Sequence, residues 1–348
     1  MAATKGTATG GTPGDPESME VSAAGHTVRI THPGKDYFPR VGLTKADLVE
    51  YYLAVEKPVM SAMGGRAVLM ERHPDGVPGK SFFQKRVPAG HPDWLRTTVV
   101  STPAGTTSDA LVIHDIAHVL WAVNLGCLGF HVWATRVSDP LHGDELRFDL
   151  DPMPKVTFDE VRTVAQLLGE LLSSLGIRSW VKTSGSKGLH VYVPLHARWG
   201  AVTVRSAAVA TARELARRHP DLVTDEWWKE ERGRRVFVDF NQNAPHKTVF
   251  GAWSVRPRVG AQVSTPLTWQ QLDGIDPDSL TVATVPARIE EFGDPWADRW
   301  DNRQTIEPLL EWHERDMALG LLDAPWPPQY PKMPNEPPRV APSRARKD

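Results

Sequence analysis

The chain has 348 residues, 41% of them hydrophobic, and a formal net charge of −2, so it can bury a full core and lacks the basic excess that many nucleic-acid-binding proteins carry. No apolar run reaches the roughly 18 residues of a membrane-spanning helix. The single cysteine, Cys127, excludes disulfides within the chain and zinc sites built from several cysteines, and it fits a reducing cytoplasm.

The two ends of the chain differ from its middle in composition. Residues 1–22 lack the apolar stretch of a secretory signal, and we expect them to form a disordered N-terminal tail. Residues 323–348 are basic and too rich in proline for a helix or a central strand, which leaves a tail or an extended wrap. We therefore expect one globular unit from residue 23 to residue 322.

Two adjacent phenylalanines open a basic cluster, FFQKR, at residues 82–86. From the residues alone, one of Phe82 and Phe83 is expected in the core and the other partly exposed. An exposed ring on a basic surface can stack on a nucleic-acid base for about 1 to 3 kcal/mol. The later basic clusters at 213–220 and 229–235 are typical of solvated helix and loop faces.

A strand with two carboxylates on one side is predicted near the middle of the chain. In ELRFDLDP (145–152), Asp149 and Asp151 alternate with apolar residues, so both carboxylates point to the same side, about 7 Å apart. Such a pair also arises by chance, as we interpret Asp276 and Asp278. The strand context is what favours a functional role.

The elements around this strand follow the order β-α-β-β-α-β. Thr157 and Glu160 in capping-box spacing, followed by apolar residues at helical spacing, predict a helix that ends at Gly176. The other predicted elements are strands in 177–183, 189–195 and 235–240 and a helix over 202–218. This order matches the split βαβ motif, whose sheet places the first strand between the third and the fourth.

That topology would bring polar side chains from three strands together. Asp149 and Asp151 would lie beside His190 and Asp239 on one face of the sheet. Carboxylates about 4 Å apart repel each other by about 1 to 4 kcal/mol, so a cation is expected among them. Hard oxygen ligands suit Mg²⁺ or Mn²⁺, and three carboxylates can hold two such ions. Taken alone, Asp239 is equally well explained as an exposed strand aspartate.

The segment KTSGSKGLH, residues 182–190, joins two predicted strands through a Gly-rich loop. Its glycines free backbone N–H groups to face an anion, while Ser184, Lys187 and His190 add donors that suit the oxygens of a triphosphate. The alternative is a plain hairpin turn with His190 as a hydrogen-bonded strand residue. A turn has no need of these three side chains, which favours the phosphate site.

These segments resemble, in order, the motifs of a known family. FDLDP, KTSGSKGLHVYVPL and the run VFVDF, WSVRP and VSTPLTW are similar to motifs of the archaeo-eukaryotic primase superfamily, specifically the polymerase domain of bacterial ligase D and its stand-alone actinobacterial relatives. The resemblance extends over residues 31–269 and includes SFFQKRVPAGHPDW and CLGFHVW. It implies an α/β (α+β) primase-polymerase fold, with an RRM-like split βαβ catalytic sheet packed against a second, mixed α/β subdomain.

The resemblance also implies template-directed nucleotidyl transfer that depends on two Mn²⁺ or Mg²⁺ ions. The metal ligands and catalytic residues would be Asp149, Asp151 and Asp239. The residues implied for the nucleotide are Ser184, Lys187, Gly188, His190, Arg256 and His131, and those implied for DNA are Lys35, Lys45, Phe82, Phe83 and Lys85. Read alone, Lys35 and Lys45 are ordinary surface lysines, and His131 is equally well a hydrogen-bonded core histidine.

The partners that the resemblance implies are gapped or broken DNA with a 5′-phosphate, nucleoside triphosphates and a separately encoded ATP-dependent DNA ligase. We expect a cytoplasmic, nucleoid-associated monomer without membrane contact that fills short gaps in DNA repair and uses ribonucleotides readily. Two departures stand out. His32 replaces an asparagine of the family's 5′-phosphate pocket, and residues 240–253 resemble the separately encoded polymerases more than the ligase-fused ones.

Two other functions would use the same residues. A non-catalytic subunit that binds DNA ends or gaps would use the lysines and phenylalanines, with a structural ion among the carboxylates. A metal-dependent nuclease would use the carboxylates to cut phosphodiester bonds. The SGSKG loop discriminates against the nuclease, because a nuclease has no triphosphate to hold.

Overall fold

The computed structural model describes residues 17–341 and residue 343. The strands are β1 (Ser18–Ala23), β2 (His26–Thr31), β3 (Asp36–Phe38), β4 (Leu43–Thr44), β5 (Ala67–Arg72), β6 (Phe82–Gln84), β7 (Thr97–Ser101), β8 (Thr107–Val112), β9 (Cys127–Trp133), β10 (Glu145–Pro152), β11 (Trp180–Thr183), β12 (Leu189–Pro194), β13 (Val223–Thr224), β14 (Val236–Asp239), β15 (Thr248–Phe250) and β16 (Pro266–Leu267). The helices are α1 (Lys45–Ala54), α2 (Glu56–Met63), α3 (Ile116–Asn124), α4 (Phe158–Ser173), α5 (Ala201–Arg218), α6 (Trp269–Leu272), α7 (Val285–Phe292) and α8 (Glu307–Ala318), with short 3-10 helices at Lys229–Glu231, Phe240–Asn243, Pro277–Ser279 and Arg299–Asn302.

The first large sheet carries the aspartate strand at its centre. Its strand order is β13-β14-β10-β12-β11-β16, and β10 runs antiparallel to both of its neighbours, β14 and β12. In the β-α-β-β-α-β unit, the first strand therefore lies between the third and the fourth. Phe148 and Leu150 of β10 are buried on the face that α4 and α5 cover. Because side chains alternate along a strand, Asp149 and Asp151 point to the opposite face.

A second sheet forms the other half of the molecule, with the strand order β15-β9-β5-β8-β7 and β6 paired to β5. Helix α3 packs on β9 and contacts α1. Its seven buried apolar residues and the buried Cys127 belong to one core that continues into the first sheet. The structure is thus a mixed α+β fold, in which loops and edge strands from both sheets border the aspartates.

The N-terminal hairpin corrects the predicted tail boundary. Residues 18–22 of the expected tail lie in β1, which pairs with β2, and the side chains of Met19 and Val21 pack against the core. Gly25 has a φ of 78°, which suits the tight turn between the two strands. Order therefore begins no later than residue 17, and the rest of the predicted tail, residues 1–16, lies outside the described residues.

The first part of the Pro-rich C-terminal segment lies against the domain as an extended wrap. Trp326 and Tyr330 are buried against Ala244. The basic residues at 344–348 lie outside the part that the structure describes. Among the described helices, none has the length and apolar character to cross a membrane.

Candidate active site

Three strands of the first sheet bring the polar residues of the sequence motifs onto one face. Asp149 lies directly opposite His190 on one side and Asp239 on the other. The His190 Nε2 atom is 3.3 Å from the Asp149 Oδ1 atom. Asp151 lies two residues further along the same strand and on the same face. The antiparallel register thus places three carboxylates and one imidazole together.

The carboxylates of this cluster are held in an environment that disfavours their charge. Burial raises the pKa of Asp149 to about 6 and, together with the charge on Asp149, also raises the pKa of Asp239 to about 6. The charge on Asp149, followed by burial, raises the pKa of Asp151 to about 7. A cation placed among these groups would remove this cost, because it stabilises all three ionised forms.

The donor set of this cluster fits a hard divalent cation. In the part of the chain that the structure describes, no group of three or more His, Cys, Asp or Glu side chains is arranged to hold a metal ion. In this conformation the Asp239 carboxylate accepts hydrogen bonds from the Asn241 backbone N–H and the Gln242 Nε2 atom, both at 2.8 Å. Three mutually repelling carboxylates nevertheless supply the oxygen ligands that Mg²⁺ and Mn²⁺ prefer. The residues present are therefore compatible with such an ion.

The SGSKG loop is tied together by its own serine. The Ser184 hydroxyl accepts hydrogen bonds from the backbone N–H groups of Ser186 and Gly188, both at 3.1 Å. These two amides are therefore engaged within the loop in this conformation, and the anion site expected there stays a prediction. Lys187 is exposed at the tip of the loop. Its ammonium group is thus the part of the loop available to a phosphate from solvent.

Arg256 connects this loop to the second sheet. Its Nε atom donates to the Ser184 carbonyl oxygen at 2.7 Å, and its guanidinium lies 3.5 Å from the centre of the Phe250 ring. Gly185 has a φ of 73°, and a Cβ atom there would lie 2.6 Å from the Arg256 Cγ atom. Only glycine therefore allows the arginine to approach this closely. The positive charge of Arg256 partly offsets the rise in the pKa of Asp149.

His131 lies at the edge of the site, on β9. Its Nε2 atom is 3.0 Å from the Glu71 Oε2 atom, and its ring packs edge-on against Phe83 and Phe250. Although burial opposes it, the hydrogen bond from His131 and the nearby His73 imidazole, 3.6 Å away, lower the pKa of Glu71 to about 2. His131 is therefore a hydrogen-bonded histidine that also lines the border between the aspartates and the exposed phenylalanines.

Both adjacent phenylalanines are exposed, which corrects the expectation that one would enter the core. Phe82 is 45% exposed and Phe83 is 60% exposed. The short strand β6 pairs with residues 70–72 of β5, off the main path of the sheet. Arg72 lies 5.2 Å from the Phe82 ring. Phe83 and the following Lys85 line one cavity of about 620 Å³. An aromatic and basic surface thus adjoins the site.

Lys35 and Lys45 differ strongly in their surroundings. Lys35 is partly exposed and forms an ion pair with Asp75 at 2.8 Å. Lys45 is buried, and its Nζ atom donates to the carbonyl oxygens of Thr31 and Asn124 at 2.6 and 3.1 Å. Burial, and then the charge on Lys35, lowers the pKa of Lys45 to about 8. The interpretation of two ordinary surface lysines is therefore wrong for Lys45.

His32, which departs from the family pattern, lies close to these lysines along the chain. It has a φ of 49°, and its Nε2 atom is 2.7 Å from the Glu17 Oε2 atom. Its backbone carbonyl accepts a hydrogen bond from the Lys35 N–H at 3.0 Å. The imidazole is thus engaged with a carboxylate in this conformation.

The sequence did not lead us to predict one buried lysine of the site. Lys182 is fully buried and lies opposite His190 in the hairpin register. Its Nζ atom donates to the Ser264 hydroxyl at 2.5 Å, and burial lowers its pKa well below the usual value. The signal was present: a hairpin closed by SGSKG pairs residue 182 with residue 190, which places Lys182 on the same face as His190.

Comparisons with known proteins agree with this geometry. The family model of the LigD primase-polymerase domain matches residues 44–296 of this sequence. The chain is 33% identical over 269 residues to the multifunctional non-homologous end joining protein LigD of Mycolicibacterium smegmatis, covering 77% of this chain and 35% of that protein. It is 30% identical over 284 residues to the bifunctional non-homologous end joining protein LigD of Bacillus subtilis, covering 81% of this chain and 45% of that protein. The chain thus spans less than half the length of either relative.

A solved structure also matches over most of the fold. It is the polymerase domain from Mycobacterium tuberculosis ligase D in complex with DNA, which is 32% identical and superposes with a TM-score of 0.74. The match covers 80% of this chain and 99% of that domain. By sequence and by fold, the chain belongs to the LigD primase-polymerase domain family.

Proposed function

We propose that this chain is a metal-dependent, template-directed nucleotidyltransferase that extends DNA ends at short gaps or breaks during repair. The observation that carries this proposal is the cluster of Asp149, Asp151 and Asp239 on one sheet face, with the SGSKG loop and its Lys187 beside it, in a chain of this family. The relatives are named for non-homologous end joining, and the matching solved domain is in complex with DNA. Both facts support a role at DNA ends.

The three aspartates would hold two divalent ions, Mn²⁺ or Mg²⁺. When bound, such ions lower the pKa of a primer 3′-hydroxyl and stabilise the leaving pyrophosphate. Lys187 would bind the triphosphate of the incoming nucleotide, and Arg256 would keep the loop against the carboxylates through its bond to the Ser184 carbonyl. The roles of Ser184 and Gly188 would be to shape this loop, since their hydrogen bonds are made to each other.

The exposed surface next to the site would receive the DNA. Phe82, Phe83 and Lys85 offer aromatic rings and a cation to the template strand, as in proteins that stack bases on exposed rings. Lys35 and Lys45 would bind the 5′-phosphate on the downstream side of a gap. Ready use of ribonucleotides, a separate ligase that seals the product, and a nucleoid location complete the proposal.

The test is an extension assay with purified protein, a primed DNA with a short gap, nucleoside triphosphates and Mn²⁺. We expect the primer to grow by the number of templated nucleotides, and Asp149→Ala to abolish growth while it still binds the DNA. Running ribonucleotides and deoxyribonucleotides in competition measures the sugar preference. A shortened primer would point to a nuclease, and binding without extension would point to a non-catalytic subunit. Either result would overturn the proposed function.

A further inference from the structure

A segment near the C-terminal end of the described residues lies against the turn that follows Asp239. We call residues 323–339 the C-terminal strap. The strap crosses helix α5 and the 3-10 helix Phe240–Asn243, and its Trp326 and Tyr330 are buried against Ala244. The Tyr330 hydroxyl donates to the Pro245 carbonyl oxygen. The strap lies outside residues 44–296, the region that the family model matches.

A buried arginine on helix α5 joins the strap to this turn. Arg205 is 1% exposed, and its Nη1 atom donates to both carboxylate oxygens of Asp323 at 3.0 and 3.2 Å. Its Nη2 atom donates to the carbonyl oxygens of Ala324 and Pro325 at 2.8 and 3.2 Å. Its guanidinium also lies 4.0 Å from the centre of the Trp326 ring. The strap thus supplies the counter-ion and most of the acceptors of this arginine.

The remaining bond of Arg205 leads toward Asp239. The Arg205 Nε atom donates to the Asn241 side-chain oxygen at 2.7 Å, and the Asn241 side-chain nitrogen donates to the Pro325 carbonyl oxygen at 3.0 Å. The backbone N–H of the same Asn241 donates to the Asp239 carboxylate at 2.8 Å. Asn241 is itself 1% exposed. A series of buried and partly buried hydrogen bonds therefore runs from the strap through the side chain and backbone of Asn241 to one oxygen of Asp239.

Loss of the strap would leave this series without its anchor. Arg205 would keep a buried positive charge but lose the Asp323 carboxylate and two carbonyl acceptors, and a buried charge without partners is costly. The guanidinium would have to turn toward water, which breaks its bond to Asn241. The turn would then be free to move, and with it the N–H group that orients the Asp239 carboxylate.

We propose that the C-terminal strap, acting through Arg205 and Asn241, is a positioning element that orients the Asp239 carboxylate toward the metal ions. The inference rests on the proposed function, because it takes Asp239 as a metal ligand. Partners that orient a metal-binding side chain change metal affinity by about 10-fold to 100-fold when they are removed. The strap should therefore affect metal binding at a site that it does not contact.

The experiment measures Mn²⁺ binding to the full chain by calorimetric titration, without DNA or nucleotide. We expect Arg205→Met and a chain ending at Leu322 to raise the Mn²⁺ dissociation constant about 10-fold or more. The matched control is Arg213→Met: Arg213 lies on the same helix and donates to the Leu322 carbonyl at 2.6 Å, but it is not part of the series to Asp239. This control should change the constant by less than about 2-fold.

Two further readouts separate positioning from plain stabilisation. In steady-state extension, the strap variants should lower kcat and leave the KM for the nucleotide near the wild-type value. The reason is that the SGSKG loop joins β11 and β12, whereas the strap acts at the end of β14. Amide hydrogen exchange should rise for residues 239–243 in the metal-free variants and stay at the wild-type level in Arg213→Met. If Arg205→Met does not fold, Asn241→Ala tests the same series.

The results also distinguish a failure of this inference from a failure of the proposed function. Folded strap variants with a lowered melting temperature but wild-type Mn²⁺ binding would overturn the positioning role. Asp239→Asn is measured beside them. If it binds Mn²⁺ as the wild type does, the metal assignment is wrong and the positioning role falls with it. If it loses Mn²⁺ while Arg205→Met keeps it, only the positioning role is overturned.

Discussion

Replacing Asp149 by asparagine should stabilise the metal-free protein at neutral pH. Asparagine keeps the shape of the side chain and an oxygen opposite His190, but it removes the negative charge from the cluster. Burial holds the pKa of Asp149 at about 6, compared with an ordinary value of 3.8. A carboxyl group whose pKa is raised by folding destabilises the folded state wherever it is ionised.

The magnitude follows from the size of that rise. At about 1.4 kcal/mol for each pH unit, a rise from 3.8 to about 6 corresponds to about 3 kcal/mol of lost stability above pH 6. Below about pH 3 the aspartate is protonated in both the folded and the unfolded chain, so the difference disappears. Between these values the folded state binds more protons than the unfolded state, and the stability of the wild type falls as the pH rises.

Urea unfolding with EDTA present, at about pH 7.5 and about pH 3, measures this difference directly. We expect Asp149→Asn to be more stable than the wild type by up to about 3 kcal/mol at pH 7.5 and nearly equal to it at about pH 3. Mn²⁺ at a fixed concentration should stabilise the wild type more than the variant, because a ligand that binds only the folded state stabilises it by RT ln(1 + [L]/Kd), which is larger for the tighter-binding protein. A variant that is less stable than the wild type at pH 7.5 would refute the reasoning.

Three further outcomes concern the nucleotide and the DNA. Lys187→Ala should raise the KM for the nucleotide at least about 10-fold, because it loses a charge-assisted contact of about 1.5 to 3 kcal/mol. An unchanged KM in initial-rate assays would mean that the SGSKG loop is a plain hairpin turn and does not bind the triphosphate. Lys35→Ala should weaken the preference for a gap with a 5′-phosphate over one with a 5′-hydroxyl, and raising the salt concentration should shrink this preference. Lys45→Met should also weaken the preference and lower the melting temperature, since Lys45 is buried. Equal binding of both gaps by the wild type would contradict the 5′-phosphate pocket. Phe83→Ala should weaken template binding by about 1 to 3 kcal/mol in anisotropy titrations without changing urea unfolding, because the ring is 60% exposed; unchanged template binding would count against stacking.

The neighbours of the aspartate strand could be predicted because alternation and element order act locally. Apolar residues on either side of Asp149 fix which face of the strand is buried, and the order β-α-β-β-α-β limits the strands that can pair with it. The same reasoning could have found Lys182, since the hairpin register pairs it with His190. What it required was a count across the loop rather than any knowledge of the tertiary structure.

Burial set by distant contacts could not be predicted in the same way. Lys45 is buried because two carbonyl oxygens, from Thr31 and Asn124, lie at its Nζ atom, and Asn124 is 79 positions away along the chain. Phe82 and Phe83 lie on the three-residue strand β6, which pairs with β5 off the main path of its sheet, and their exposure depends on that strand order. Composition gives no signal for either fact.

The border between the two sheets explains why the motifs of this chain lie so far apart in sequence. Arg256 binds the Ser184 carbonyl of the first sheet's loop and stacks on Phe250 of the second sheet, and its charge acts on both Asp149 and Glu71. A substrate held at this border must touch groups from both sheets. The alternation of polar and apolar residues along each strand predicts which side chains share a face, but the placement of one sheet against the other depends on a few bridging side chains. Arg256 is such a side chain, and Gly185 is the residue that lets it approach.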